Sequence, residues 1–391
     1  MLINITAFLM GFGQQIYLVA MPFIVKAMGG SDSQVGFCLA AGFLSYLFSC
    51  LLTARTLDGF NPKRLVQLGS VGIAFATAFV LVPILFASAA LSLRVNMVIL
   101  AAIIAGFSQS FFWPPLMGWC SIGHEGSQLR KKLGLYNAAW SIGMVAGPYL
   151  SGVLVEIALL WPVLAATAAM AASFVTVSLM KSPVKLNQDS ADCCSGSTPQ
   201  PEQDSRLVCF RAMARLALPT AYICLAISKT QLPILFKFEL SLSESDFGLA
   251  TTVLALANAA VFLISARLHR WHYKFSYFLI AQLMLVASMI MILNSSSLLL
   301  LCVAGGLIGI GSAFVYSSNQ FYGVSGGKKR SGLMAVHEML LASGHIIGGF
   351  TCGILSDNLG RYSPYHFGLV VIIVALIGQY VIKFVYSKRQ K

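Results

Sequence analysis

The sequence predicts an all-α polytopic membrane protein, with twelve transmembrane helices in two six-helix halves. Three observations carry that reading. Of 391 residues, 58% are hydrophobic and only 10% are Asp, Glu, Lys or Arg, against about 25% charged in an average soluble chain. The apolar residues gather into twelve runs of membrane-crossing length, and one polar stretch divides those runs six and six. A water-soluble domain this poor in charge would expose large apolar patches and associate. Soluble enzymes, disordered chains and nucleic-acid-binding modules are therefore excluded.

A spanning helix needs roughly 20 apolar residues. Between charged or turn-rich breaks the runs cover 3–25, 33–53, 67–87, 96–118, 134–155, 159–180, 216–236, 246–266, 275–294, 297–318, 332–355 and 365–387. Lipid offers no hydrogen-bond partner to a bare backbone, so each run must be helical. The first run has no basic segment before it and no small-residue cleavage site after it, so it reads as a retained helix and not a signal peptide. The nine cysteines fall mostly inside apolar runs and behave as small hydrophobes.

Orientation follows from the basic residues. With the N-terminus cytoplasmic, 21 of the 26 Lys and Arg residues fall on the cytoplasmic side, whereas Lys26, Arg94, Lys237 and Arg361 fall opposite. Acidic residues divide six and six, so the bias lies in Lys and Arg alone, as the positive-inside rule requires. Both termini are then cytoplasmic, and a plasma (cell inner) membrane is the expected location. The net charge of +13 is explained by topology, without a nucleic-acid partner.

Residues 1–180 form the first half, 181–210 a cytoplasmic linker and 211–391 the second half. The linker is rich in Ser, Pro and Asp and lacks helical periodicity. Its adjacent Cys193 and Cys194 have no second ligand pair nearby, so no metal is expected there. The halves repeat one another. Pro22 to Lys26 recurs as Pro233 to Lys237, Ala54-Arg55 as Ala266-Arg267, and Gly143-x-x-x-Gly147 as Gly344-x-x-x-Gly348. The separations are 211, 212 and 201 residues, in the same order along both halves. A six-plus-six repeat is a transporter architecture, with the substrate site between the halves near mid-membrane.

The turn after the second run carries Arg55, Asp58, Lys63 and Arg64. It resembles the loop signature of the major facilitator superfamily, Gly-x-Leu-Ala-Asp-Arg-x-Gly-Arg-Arg, with Asp58 and the Lys63-Arg64 pair matching and Ala54, Gly59 and Asn61 departing from it. Either these four residues form a gating loop, with an acid at a helix end pairing in one conformation and releasing in the other, or they are positive-inside charge with one neutralising acid. The fifth run holds Gly143-x-x-x-Gly147-Pro148-x-x-Ser151-Gly152, similar to the family's Gly-x-x-x-Gly-Pro-x-x-Gly-Gly element, which is often linked to export. Its small residues, with Gly344 and Gly348 in the eleventh run, are expected at close helix contacts. Ala102 stands four residues before Gly106, where the family's drug/proton subgroup places an Arg. The resemblance implies a fold of the same type and alternating access between two halves.

Charge at membrane depth marks function. Glu338, the seventh residue of the eleventh run, and Lys229, in the seventh run, are the two candidates. Glu338 is either a proton-coupling carboxyl, a fixed partner of Lys229, or a residue nearer the interface. Gln14, Gln15, Gln109, Trp113, Asn137, Trp140, Asn319 and Gln320 complete a polar-aromatic cavity with Lys229 and Glu338, on helices that the resemblance implies face the cavity. His337 and His345 share the eleventh run, and His337 points about 100° away from Glu338.

These features predict a secondary active transporter of a small organic solute, with proton-coupled export (an antiporter working as an efflux pump) as the leading form. Proton-linked uptake of a sugar, amino acid or organic acid, and a non-transporting scaffold or sensor, are the alternatives. No Gly-x-x-x-x-Gly-Lys-Ser/Thr loop is present to drive transport with ATP, and no enzyme activity, cofactor or metal is expected. The expected partners are the small-molecule substrate, a proton as coupling ion and membrane lipid, with the monomer as the working unit.

Overall fold

The computed structural model describes residues 1–53, 60–86, 90–121, 126–182, 205–267, 271–324 and 330–388. Among them twelve helices are long and apolar enough to cross a membrane, and no strand occurs. They are α1 (Leu2–Ala27), α2 (Asp32–Leu52), α3 (Pro62–Leu85), α4 (Leu91–Cys120), α5 (Leu135–Ile157), α6 (Leu160–Ser178), α7 (Arg206–Phe238), α8 (Glu244–Ser265), α9 (Phe275–Asn294), α10 (Leu298–Gly323), α11 (Val336–Leu359) and α12 (Ser363–Lys388). The chain is an all-α polytopic membrane protein.

Where helix ends depart from the apolar runs, caps and amphipathic extensions explain the difference. α3 begins at Pro62 because the Asn61 side chain accepts the Lys63 N–H and proline suits the first helical position. The helix containing α7 starts at Ser205, and the one containing α5 at Gly126. Their first turns carry Arg206 and Arg211 in one case and Arg130, Lys131 and Lys132 in the other, which hydropathy alone reads as loop. Residues 205–210, expected in the linker, thus belong to a helix.

α7 is broken. A helix from Ser205 to Thr230 stops, and Leu232–Phe238 resumes it with Pro233 in the opening turn. Proline has no N–H to give the carbonyl four residues back, which is that of Lys229. The break therefore falls beside Lys229.

Packing repeats across the halves. α1 packs on α5 and α6 as α7 packs on α11 and α12, and α2 meets α4 as α8 meets α10. α3 joins α4 and α6, and α9 joins α10 and α12. Between the halves α2 lies along α11, and α5 along α8. Glycines permit these approaches. A Cβ on Gly143 would meet the Phe8 carbonyl, and one on Gly147 would lie 2.9 Å from the Gln15 Cβ, both in α1. On the twin pair, a Cβ on Gly344 would lie 2.5 Å from the Pro219 carbonyl oxygen and one on Gly348 2.7 Å from the Ala226 Cβ, both in α7. Outward faces are apolar: Val370, Ile373, Val374, Ile377, Val381 and Phe384 form an exposed stripe at helical spacing on α12.

Candidate functional site

Contacts across the two halves seal one end of the seam between them. At the membrane face opposite the linker, Asp357 at the end of α11 accepts the N–H groups of Asp32 and Ser33 at 3.0 and 2.9 Å. Glu156 at the end of α5 accepts the Ser245 N–H at 2.8 Å. A carboxylate on the first turn of a helix meets both unsatisfied donors and the positive end of the helix dipole. Each half thus supplies an anion to a helix start in the other half. Lys26 pairs with Asp32 at 2.8 Å, and Lys237 with Glu244 at 2.9 Å, as twins within their own halves. Arg361 breaks the symmetry by bridging Glu239 at 2.8 Å and Asp32 at 3.5 Å.

Towards mid-depth, chemistry is concentrated in the second half. The Lys229 amine lies 3.1 Å from His345 Nε2, joining α7 to α11. A protonated amine has only hydrogens to give, so Nε2 accepts from it. The His345 ring stacks on Phe43 of α2 at 3.9 Å with 7° between planes, and Tyr222 of α7 meets its other flank edge-on at 5.0 Å. Lys229, Phe43 and Tyr222 are partly exposed, whereas His345 is buried.

Glu338 lies two turns nearer the linker face on the same helix, about 10.5 Å from His345 along the axis. Tyr46 of α2 lies within electrostatic reach of its carboxylate. Tyr136, Tyr222 and Tyr316 also lie within electrostatic reach of it. Behind them, His337 is buried, with Nδ1 2.7 Å from the Asn319 amide nitrogen and its ring edge-on to Tyr316 at 4.6 Å. Tyr316 continues through Phe262 (5.4 Å) to Trp140 of α5 (6.0 Å), so an aromatic path crosses from α11 to the first half.

The predicted residues divide accordingly. Asn319, Gln320 and Trp140 connect through His337, Tyr316 and Phe262 on the side of Glu338, with the Gln320 amide 3.4 Å from the Tyr316 hydroxyl, whereas Lys229 is held on His345. Asn137 accepts the Trp140 indole N–H at 3.1 Å and so orients that ring. Gln15 is buried on Gly147 in the α1–α5 contact. The Gln14 amide nitrogen is enclosed without a hydrogen-bond partner. Gln109 is half-buried just before a break in α4, and Trp113, edge-on to Phe112 at 4.9 Å, packs within the first half. The fixed Lys229–Glu338 pair does not form: the amine is on His345, and no salt bridge between described residues includes either.

The helix-packing residues all sit at close helix contacts. A Cβ on Gly152 would meet the Glu244 carbonyl of α8, and the Pro148 carbonyl lies against Gly248 of the same helix. In the loop motif, Arg55 and Asp58 lie outside the described residues, as do Cys193 and Cys194. The Lys63 amine donates to the carbonyls of Ser178 (2.8 Å) and Met180 (2.5 Å) at the end of α6, and Arg64 is exposed. Lys63 is thereby tied to its own half. Tyr46, Tyr222, Tyr316, Phe43 and Phe262 were not predicted, because an aromatic residue in an apolar run carries no mark of which side it faces. A phenol two or three turns from an ionisable residue's level was the available signal.

Comparison with known proteins agrees with this architecture. The family model described as Major Facilitator Superfamily matches residues 3–193 and 210–390. Solved structures share the fold: nucleoside transporter NupG at 12% identity, TM-score 0.68, covering 100% of this chain and 98% of that one. A POT family transporter in complex with 5-aminolevulinic acid aligns at 14% identity and TM-score 0.72, over 97% and 96%. A bacterial homolog of the human lysosomal transporter Spinster, inward-facing and unoccupied, aligns at 15% and 0.66, over 99% and 96%. Among curated proteins, "Multidrug resistance protein 2" of Bacillus subtilis (strain 168) is 25% identical over 189 residues, 48% of this chain and 44% of that protein, so the match spans less than half of the relative. With a family model matched along nearly its whole length, the chain belongs to the Major Facilitator Superfamily and is a non-enzymatic transporter.

Proposed function

We propose that the protein exports a small organic solute in exchange for protons, by alternating access between its two halves, with Glu338 carrying the proton. The observation that supports this most is the setting of Glu338: a carboxyl at membrane depth on α11, facing Tyr46 of the other half and with no cation paired to it among the described residues. Closing the halves around a carboxylate would strand a charge away from water, at a cost of several kcal/mol. Protonation removes that charge, so the proton state of Glu338 decides which conformations are accessible. Gln320 on Tyr316 and Trp140 on Phe262 add amide and aromatic groups beside it, which suits a small amphipathic solute.

Export is supported by the α5 glycine-proline element and by the resemblance of part of the chain to a protein named for multidrug resistance. The excess of Lys and Arg on the linker side supports a plasma-membrane protein with both termini cytoplasmic. The sealed face is then the outer one, and the site opens inward. The fold is complete within one chain, which supports a monomer surrounded by lipid as the working unit.

Everted membrane vesicles with an acidified interior test this reading, using a radiolabelled panel of aromatic acids, amines and neutral amphiphiles. At least one compound should accumulate, collapse with a protonophore, and fail to accumulate with Glu338→Gln. Undiminished proton-driven accumulation by Glu338→Gln would remove the proposed coupling group.

A further inference from the structure

The Lys229 amine is a charge without a counter-charge. It sits at the break in α7, makes one hydrogen bond to His345, and has no carboxylate within 4.0 Å among the described residues. A charge held at this depth is normally paired or faces a water-filled cavity. An ammonium has three hydrogens to donate, and His345 takes one. The others have no protein acceptor among the described residues, and Lys229, Phe43 and Tyr222 are partly exposed while His345 is buried.

The surroundings limit what fits there. The amine lies 6.0 Å from the Phe43 ring centre, and Tyr222 lies 6.4 Å from Tyr316, so aromatic faces lead away from the amine towards Glu338. The binding partner for such an amine is an acceptor-only group of single negative charge, and the partner for the rings is a flat apolar body. Discontinuous helices at mid-membrane place charged ends of transported solutes in just such positions.

We infer that Lys229, held by His345 and flanked by Phe43 and Tyr222, binds the carboxylate of a monoanionic aromatic acid, with the aromatic body lying along Tyr222 and Tyr316. His345 is a positioning residue: it accepts one amine hydrogen and aims the others. The inference rests on the reading of this cavity as the transport site, but not on proton coupling. The anion subsite and Glu338 are separate along α11, so each carries its own charge.

Binding to the purified full-length protein in detergent tests it without any gradient. The probes are naphthalene-2-carboxylate, its neutral carboxamide, and 2-(aminomethyl)naphthalene, compared by calorimetry. The carboxylate should bind about 10-fold more tightly than the carboxamide, the scale of one charge-assisted contact. Lys229→Met should erase that preference while leaving carboxamide affinity in place, and Lys229→Arg should keep most of it. The comparison of carboxylate with carboxamide on the unaltered protein stands even if a variant fails to fold. Equal affinity for carboxylate and carboxamide, a preference for the amine, no binding of the carboxylate, or a preference that survives Lys229→Met would each overturn the inference. Loss of the coupling role of Glu338 with this preference intact would sink only the coupling, and the reverse result would sink only the anion subsite.

Discussion

α5 and α11 are structural twins that differ in chemistry. Gly143, Gly147, Gly152 and Glu156 in α5 correspond, at a constant separation of 201 residues, to Gly344, Gly348, Gly353 and Asp357 in α11. Each helix lays its first two glycines on the opening helix of its own half and the third on a helix of the other half. Each ends in a carboxylate on that other helix's first turn. At the same spacing, however, Glu338 answers to Asn137, His337 to Tyr136 and His345 to Met144. The repeat has kept the residues that pack and close the halves, and it differs at the residues that ionise. The difference teaches that movement belongs to both halves and charge chemistry to one.

Breaking the chemical side should have the largest effect. Glu338→Gln is expected to lower proton-driven solute accumulation in vesicles about 100-fold, the scale of losing a positioned proton-transfer group. Asn137→Ala at the twin position should stay within about three-fold on the same scale. Next comes the packing side. A Cβ on Gly36 of α2 would run into the Gly349 carbonyl, and one on Gly248 of α8 would lie 2.6 Å from the Pro148 carbonyl oxygen. Gly36→Val and Gly248→Val should each cost about 1–3 kcal/mol in overpacking, seen as similar drops in the thermal midpoint of the purified protein. Unequal drops would show that the twin contacts do not bear equal weight.

Smaller effects sharpen the comparison. Asp357→Asn and Glu156→Gln weaken exposed capping contacts, worth about 0.5–1 kcal/mol each. Alkylation of a cysteine introduced as Ser241→Cys should speed up two- to five-fold on that energy scale, more for Asp357→Asn because Asp357 accepts two N–H groups. Lys63→Ala should be least, about 0.5 kcal/mol from a lost helix-end contact, with transport unchanged. A large transport defect there would favour the gating role that the loop resemblance implies.

Much of the fold was legible because lipid leaves few solutions. Run length specifies helices, and the linker and repeats specify two halves. Helix ends beyond the apolar core were less legible: Arg206 and Arg211 sit on helical turns that composition reads as loop. At the site, charge made Lys229 and Glu338 visible, but their partners were not. A histidine, and not Glu338, holds the Lys229 amine, so the ion pair among the alternatives does not form; sequence spacing says nothing about the relative depth of α7 and α11. The capping carboxylates Glu156 and Asp357 looked like ordinary loop charge. Only their separation, the same as that of the glycine pairs, marked them as a matched device.

The central claim, a two-fold scaffold with proton chemistry on one side, is tested most directly by proton flux in proteoliposomes. A transported compound from the vesicle panel is added to liposomes holding a pH-sensitive dye, with unaltered protein, Glu338→Gln or Asn137→Ala. Solute-driven proton movement should be present in the first and the third and absent in the second. Proton movement retained by Glu338→Gln, or lost equally in both variants, would contradict it.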